Sequence, residues 1–377
     1  MELAELTKLL TCITGARSIT SDVFNSYDRK TTLRRLAVFS LFATVMWATA
    51  CNKAPEQAAP SKSDGPANPN FVRLDPGFEQ LVPANATIDK VATGFQFLEG
   101  PLWRPSGNLW FSDLVGNILY QTTPDGMVKQ LLNPAGDYRK DPPKGAYIGP
   151  NGMAVAPNLN VVLCQHGNRR IVEVSLDMKV KLLVERSADG KHLNSPNDVV
   201  YTPDGSLYFT DPPFGLAKGN DDPAKEEPYN GVYRFKDGKA IAIIKDVALP
   251  NGIAFSPDFK VLYISNSDDK QRLWMRYDVN ADGTVANGRV FADASSSKDM
   301  GVPDGMRVDS AGNVYATGPG GIWVFSSAGK QLGTIKTPEQ PSNLAFGDAD
   351  AKTIYITATS SVYKIRVNIA GEKPAFN

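Results

Sequence analysis

Short apolar runs separated by glycine-containing turns repeat along most of this chain. In residues 203–211 a Pro-Asp-Gly turn leads into Leu-Tyr-Phe-Thr-Asp, and residues 105–113 and 310–317 share that layout. Aromatic and β-branched runs that flank such turns predict β-hairpins. The unit occurs six times at a spacing of roughly 40 to 55 residues, which is typical of repeat architectures. The pattern therefore predicts an all-β, six-bladed β-propeller.

Each repeat opens with a polar residue that carries a side-chain oxygen. The residues in this place are Glu99, Asn151, Asn197, Asn251 and Asp304, and Asn343 opens the sixth repeat. Because the innermost strand of each blade lines the central channel, we expect the first five to converge there. Two carboxylates and several amide oxygens suit a hard divalent cation such as Ca²⁺. The alternative is that Asn-Gly and Asp-Gly are favoured turn dipeptides, although Glu99 has no such local reason to precede glycine.

Composition narrows the chemistry. The 40 Lys and Arg residues balance the 40 Asp and Glu residues, so charge gives no case for a nucleic-acid partner. Three cysteines predict neither a disulfide framework nor a zinc knuckle. With only two histidines, His166 and His192, a histidine-rich metal site is excluded as well. Any metal must therefore be held by oxygen ligands.

The pattern of the N-terminal 77 residues predicts that the protein is exported and says nothing about its chemistry. Residues 1–51 contain Arg34-Arg35, an apolar run and Ala48-Thr49-Ala50-Cys51, which predicts a signal segment with a lipobox and lipidation at Cys51. A simple cleaved signal is the alternative. Residues 52–77 are predicted to form a flexible tether, and residues 78–377 the propeller. We expect an exported periplasmic or cell-envelope lipoprotein that meets the membrane only through its lipid anchor.

Two features concern the ends and the surface of the propeller. A run near residues 87–91 has no hairpin partner of its own, and we expect it to complete the last blade beside residues 361–365. A polar insertion at residues 218–229 interrupts the third blade. We expect this insertion to lie over one face of the disc.

Several motifs together resemble the gluconolactonase and senescence-marker-protein (regucalcin) family, which is related to diisopropyl-fluorophosphatase. They are Glu99-Gly-Pro-Leu-Trp, Ser195-Pro-Asn-Asp-Val-Val, Phe209-Thr-Asp-Pro-Pro-Phe-Gly, Leu249-Pro-Asn-Gly-Ile and Pro303-Asp-Gly-Met. A His-Gly-Asn-Arg-Arg stretch from His166 resembles the bacterial gluconolactonase-like branch. Animal members carry an arginine where this chain has Ser195.

The resemblance implies roles for individual residues. Glu99, Asn251 and Asp304 are expected to bind a central divalent metal, and Asn197 to sit at the metal or at its bound substrate. Asp304 is also expected to act as the general base or proton shuttle. His166 and Asn151 are expected to face the substrate, with a structural role at a strand end as the alternative for His166.

The resemblance favours metal-dependent hydrolysis of a small lactone, such as an aldonolactone, to its hydroxy acid. Ca²⁺ is the expected ion, with Zn²⁺, Mn²⁺ and Mg²⁺ as alternatives. The same oxygen cage could polarise other esters or phosphotriesters, so a different hydrolase is one rival. A non-catalytic propeller that binds a glycan or a protein is the other.

Overall fold

A computed structural model describes residues 68–142 and 146–376 of the chain. This part contains one short α-helix, α1 (Gly77–Leu81), one 3-10 turn (Gly219–Asp221) and 25 β-strands. In chain order the strands are β1 (Phe71–Arg73), β2 (Ile88–Thr93), β3 (Leu98–Arg104), β4 (Asn108–Asp113), β5 (Ile118–Thr122), β6 (Val128–Leu132), β7 (Pro150–Val155), β8 (Val161–Gln165), β9 (Arg170–Val174), β10 (Val180–Val184), β11 (Val199–Tyr201), β12 (Leu207–Asp211), β13 (Gly231–Lys236), β14 (Lys239–Ile244), β15 (Pro250–Phe255), β16 (Val261–Asp268), β17 (Gln271–Val279), β18 (Val285–Asp293), β19 (Met306–Val308), β20 (Val314–Gly318), β21 (Gly321–Phe325), β22 (Gln331–Ile335), β23 (Pro341–Gly347), β24 (Thr353–Ala358) and β25 (Ser361–Arg366). The fold is all-β, as predicted.

The strands form six sheets, each built around an up-and-down run of neighbouring strands. Blades one to four are β3 to β6, β7 to β10, β11 to β14 and β15 to β18; blade five is β19 to β22 with β1, and blade six is β23 to β25 with β2. The first strand of each blade contacts the first strands of both neighbouring blades, which closes a ring around a central channel. The predicted six-bladed propeller is confirmed.

Apolar side chains of adjacent sheets pack against one another between the blades. One cluster joins Val162 and Ile171 of blade two to Phe209 and Tyr233 of blade three. The rings of Phe209 and Tyr233 stack with centroids 5.2 Å apart. Because neighbours cover both faces of a sheet, every residue of the inner strand β15 is buried. Polar atoms on such strands must therefore find partners inside the protein.

The ring is closed by a strand from the N-terminal side, as predicted. Strand β2 pairs antiparallel with β25, with Ile88 opposite Ile365 and Thr93 opposite Ser361. Blade six thus combines an outer strand from before blade one with three strands from the end of the chain.

The folded part begins earlier than the predicted boundary at Phe78. Strand β1 pairs with β22 at the outer edge of blade five, with Phe71 opposite Ile335. Helix α1 buries Phe78 and Leu81 against the same region. The tether prediction for residues 52–77 is therefore wrong for residues 68–77, because Phe71 is buried in β1, which pairs with blade five. Residues 1–51, with Cys51, and the rest of the tether lie outside the described residues. Among the helices described here, none is long and apolar enough to cross a membrane.

Candidate metal centre and active site

The five predicted residues lie at one end of the channel, where the inner strands begin. Glu99, Asn151 and Asn251 are in β3, β7 and β15, whereas Asn197 and Asp304 come two residues before β11 and β19. Each blade from one to five thus contributes one oxygen-bearing side chain to the same end of the channel. The structure brings all five together, as the repeat pattern predicts.

The glycines after these residues are explained by close packing of the blades rather than by turns. Asn151-Gly152 and Asn251-Gly252 lie inside strands β7 and β15. A Cβ atom on Gly252 would be 2.2 Å from the carbonyl oxygen of Asp304, which leaves no room for any side chain. The alternative that these Asn-Gly pairs are turn dipeptides is therefore wrong.

Four side-chain oxygens in this cluster are buried and have no hydrogen-bond partner among the described residues. They are the Oδ1 atoms of Asn151, Asn197, Asn251 and Asp304. A buried polar atom without a partner is rare in native proteins and calls for a specific explanation, such as an ion or a water. Oxygens from four blades at one end of the channel are the donor set that a hard cation prefers.

The charges of the cluster also leave room for a cation. Glu99 and the neighbouring Asp198 are buried. Burial is the main cause that raises the pKa of Glu99, and Asp198 adds to the increase. Burial, and then the charges of Glu99 and Asp198, raise the pKa of Asp304 well above its usual range. A cation beside these carboxylates would favour their ionised forms and reverse the increase.

The types of ligand in the cluster further define the ion. Among the described residues, no group of three or more His, Cys, Asp or Glu side chains is arranged to hold a metal. The cluster therefore combines two carboxylates, Glu99 and Asp304, with neutral amides. Such a set fits Ca²⁺ or Mg²⁺ better than a thiolate or imidazole site would.

Asn343, which opens the sixth repeat, holds Glu99 instead of joining the unpaired oxygens. Its Nδ2 atom donates to Oε2 of Glu99 at 3.2 Å, and its own Oδ1 accepts from the backbone N–H of Leu344 at 2.8 Å. The same Oε2 also accepts from the N–H of Gly100 at 3.0 Å. Two donors thus fix the orientation of the Glu99 carboxylate.

His166 contacts the cluster from inside the protein. The residue is fully buried, and its Nε2 lies 3.0 Å from Nδ2 of Asn151. With the amide nitrogen as donor, Nε2 accepts and the ring is neutral. Burial lowers the pKa of His166 to about 3, which keeps the ring uncharged. The ring therefore positions Asn151, and the expected contact of His166 with substrate stays a prediction.

In three blades, a side chain near the end of the second strand accepts backbone hydrogen bonds from the loop that precedes the cluster residue. Oδ2 of Asp211 accepts from the N–H of Asn194 at 2.7 Å and Oδ1 accepts from that of Ser195 at 2.8 Å, just before Asn197. The corresponding residues in the other two blades are Asp113 and Asn266. These hydrogen bonds fix the backbone next to the oxygen-bearing residue in each of the three blades.

Ser195 and the insertion at residues 218–229 lie on the same face as the cluster. The hydroxyl of Ser195 donates to the carbonyl of Pro212 at 2.6 Å and accepts from the N–H of Gly215 at 2.8 Å. Arg169 donates to the carbonyls of Leu193 and Ala224, both at 2.8 Å, which fastens the insertion beside the site. Ser195, at the position where animal members carry an arginine, therefore uses its hydroxyl to hold the loop in place.

An aromatic rim borders the cluster. The rings of Phe97 and Tyr147 stack with centroids 5.9 Å apart, and the backbone N–H of Tyr147 donates to the carbonyl of Phe214. Phe97 precedes Glu99 by two residues, and Tyr147 is 45% exposed. A substrate at the cluster would therefore meet an accessible apolar surface on this side.

Sequence reasoning missed Asp198, Arg307 and the role of Asn343. Nη1 of Arg307 lies 3.3 Å from Oδ2 of Asp198, across the channel from blade five to blade three. Asp198 had a signal, because it belongs to the Asn-Asp motif, but sequence alone gave it no partner. Arg307 had no such signal, since its partner Asp198 is 109 residues away in the sequence and the two meet only because the ring closes.

Comparisons with known proteins agree with this fold. Residues 97–360 match the family described as SMP-30/Gluconolactonase/LRE-like region. Over 337 residues the chain is 35% identical to a gluconolactonase of Zymomonas mobilis subsp. mobilis, a match that covers 86% of this chain and 94% of that protein. A solved gluconolactonase structure from Xanthomonas campestris has a TM-score of 0.69 at 32% identity and covers 81% of this chain and 99% of its own. A solved regucalcin from Agrobacterium tumefaciens, named a calcium-binding protein, has a TM-score of 0.59 at 17% identity and shares the fold, covering 76% of this chain and 97% of its own.

Fold and relatives together define a six-bladed β-propeller homologous to lactonases. The chain belongs to the SMP-30/gluconolactonase/LRE-like family, and its resemblance to gluconolactonases is confirmed over most of its length.

Proposed function

We propose that this protein hydrolyses a small sugar lactone to its hydroxy acid with the help of one divalent cation, Ca²⁺ in the first place. Glu99, Asn197, Asn251 and Asp304 would hold the ion, with Asn151 beside them. The observation that carries the proposal is the set of four buried oxygens without partners at one end of the channel. The gluconolactonase relatives support the reaction, and the calcium-binding regucalcin supports the ion.

The proposed chemistry divides the work between the ion and the chain. When bound, the cation would act as a Lewis acid that polarises the lactone carbonyl and stabilises negative charge on its oxygen. Asp304 as a whole residue is only partly buried, although its Oδ1 is enclosed, and its carboxylate would accept a proton from the attacking water. Asn343 and the N–H of Gly100 hold Glu99 in place, and the Asn151 amide is held by His166. Phe97 and Tyr147 offer an apolar wall for the substrate.

Substrate profiling of the full chain tests the reaction. The chain is treated with a chelator and then assayed, with Ca²⁺, Zn²⁺ or Mn²⁺ restored, on glucono-1,5-lactone, a simple aryl ester and a phosphotriester. Spontaneous lactone opening is subtracted with a protein-free control. We expect restored turnover to be highest on the lactone. Higher turnover on the ester or the phosphotriester would favour another hydrolase, and binding of cation without any turnover would favour a binding propeller.

We also propose that the protein is exported and carries a lipid on Cys51. The support is the basic, apolar and small-residue succession before that cysteine. Cys51→Ser in a bacterial expression host should move the protein from the membrane fraction to the soluble fraction and abolish incorporation of labelled fatty acid. Unchanged fractionation and labelling would contradict the lipid anchor.

A further inference from the structure

A guanidinium lies in the channel immediately behind the oxygen cluster. Arg307 is in β19 of blade five, and its Nη1 atom donates to the carbonyl of Met306 at 2.6 Å and pairs with Asp198 of blade three at 3.3 Å. Further along the channel, Arg307 also lines a cavity of about 610 Å³ that opens toward the opposite face, together with Phe255 and Ala345. Arg307 therefore separates the oxygen cluster from this cavity.

Asp198, the partner of Arg307, is held rigidly. Its Oδ1 accepts from the N–H of Val199 at 2.9 Å, and its own N–H donates to the hydroxyl of Thr210 at 3.1 Å. A Cβ atom on Gly152 would be 2.7 Å from the same Oδ1, so blade two packs directly against this carboxylate. Asp198 is completely buried and cannot turn away from the cluster to reach water.

The oxygen cluster and its neighbours include four charged side chains. With a cation bound, the carboxylates of Glu99, Asp198 and Asp304 would supply three negative charges, and Arg307, which pairs with Asp198, supplies one positive charge. The net charge of minus two matches one divalent cation. Without Arg307 the net charge would be minus three, and with Arg307 but a neutral residue at 198 it would be minus one.

We propose that Arg307 is a positioning residue that pairs with Asp198 across the channel, sets the net charge of the cluster to minus two and thereby sets its affinity for a divalent cation. The inference rests on the cation site of the proposed function. It assigns a task to a residue that contacts none of the four unpaired oxygens.

Calorimetric titration of Ca²⁺ into the chelated full chain tests this assignment. Asp198→Asn leaves Arg307 without its partner, so we expect the affinity to fall at least about tenfold. The double variant Asp198→Asn/Arg307→Gln restores the net charge of minus two and should recover the affinity to within about threefold of the parent. A purely structural role would make the double variant at least as defective as the single one.

Circular dichroism and thermal unfolding of each chelated variant report whether it is folded. If Asp198→Asn does not fold, Arg307→Lys and Arg307→Gln replace it in the titration. We expect the lysine variant to bind Ca²⁺ within about threefold of the parent, and the glutamine variant to bind about tenfold more tightly because the cluster gains a negative charge.

The assignment is overturned if Asp198→Asn binds as the parent does, if the double variant fails to recover, or if the lysine and glutamine variants bind equally. A parent chain that binds no divalent cation would instead refute the cation site of the proposed function. The two failures are therefore distinguishable in one set of titrations.

Discussion

At the scale of single residues, the unpaired oxygens imply a conflict between stability and binding. A buried acceptor without a donor costs about 1–3 kcal/mol, and the channel contains four of them. Such a cost is understandable if the oxygens gain a partner when a cation binds. The cation should then also stabilise the folded chain, because it binds the native state alone.

Asn251→Leu tests this conflict. In chelator we expect the variant to lie within about 1 kcal/mol of the parent, because leucine removes the unpaired Oδ1 of Asn251 and, with it, the hydrogen bond of the amide to Asp304. With Ca²⁺ at about 100 times its dissociation constant, the parent should gain about 2.7 kcal/mol of unfolding free energy and the variant should gain much less. Denaturant unfolding with and without Ca²⁺ measures both values. Equal gains in the two proteins would contradict the placement of Asn251 at the ion.

His166 gives a prediction about pH. Its folded pKa of about 3 is below the ordinary value of 6.5, so the unfolded chain binds a proton that the folded chain does not. Stability is therefore fully present above pH 6.5 and is lost as the pH falls toward 3. His166→Gln keeps a hydrogen-bond acceptor and does not titrate. Between pH 7 and pH 5 the parent should lose about 2 kcal/mol more unfolding free energy than the variant. A difference that does not change with pH would contradict the burial of a neutral ring.

The identity of the cluster residues could be predicted from sequence because each one occupies the same place in its repeat. Glu99 was informative for a simple reason: glutamate has no local role before a glycine. The conformation was harder to predict. Asn251-Gly252 has the composition of a turn, and only contact with Asp304 of the next blade shows why glycine is required inside a strand.

At the scale of elements, hydroxyl groups link neighbouring blades just beneath the cluster. The second strand of a blade places a Ser or Thr hydroxyl against a backbone carbonyl at the start of the next blade. Among the described strands, five residues do this: Ser112, Thr210, Ser265, Ser267 and Thr317. Cys164 occupies this place in blade two, where it is a buried free thiol. Each link fixes the backbone at or beside the residue that opens the next repeat to the preceding sheet.

Thr210 allows the strength of one link to be measured. Its hydroxyl donates to the carbonyl of Asn251 at 2.7 Å and accepts from the N–H of Asp198 at 3.1 Å. Thr210→Val keeps the shape and leaves both groups unpaired, so we expect a loss of about 1–3 kcal/mol of unfolding free energy. Thr210→Ser keeps the hydroxyl and should lose less than about 1 kcal/mol. A valine variant as stable as the serine variant would show that the link contributes nothing.

The existence and order of the hairpins followed from the sequence pattern, because alternating runs and Gly-containing turns are local signals. The links between blades did not follow, although Thr210 and Ser112 were visible in the repeated runs. A hydroxyl in a strand has several carbonyls within reach in principle, and the packing of sheets decides which one it meets.

At the scale of the whole molecule, the ring depends on pairing between distant parts of the chain. Strand β2 covers β25, whose residues Val362, Tyr363 and Ile365 are buried. The sequence predicted this closure because the early strand had no hairpin partner. It did not predict β1, since three residues give almost no periodic signal.

Truncation tests the closure. A chain that begins at residue 68 keeps every described strand, a chain that begins at residue 84 lacks β1 and α1, and a chain that begins at residue 94 also lacks β2. We expect the last one to melt about 10 °C or more below the first and to associate through the exposed edge of β25. Thermal unfolding and light scattering report these effects. If the chain from residue 94 melts with the chain from residue 84, strand β2 does not hold the ring closed.

In the proposed function, lactone hydrolysis requires one divalent cation held by the channel oxygens. The most direct measurement is a titration of Ca²⁺ into the chelated full chain, with bound ion and glucono-1,5-lactone turnover recorded in the same samples. Asp304→Asn is measured alongside, and Asp204→Asn, in an exposed turn of blade three, is the matched control. We predict that turnover rises in proportion to one bound ion in the parent and the control, and that Asp304→Asn lowers turnover at least about a hundredfold. Parent turnover that survives chelation, or an Asp304→Asn variant that works at the parent rate, would contradict the claim.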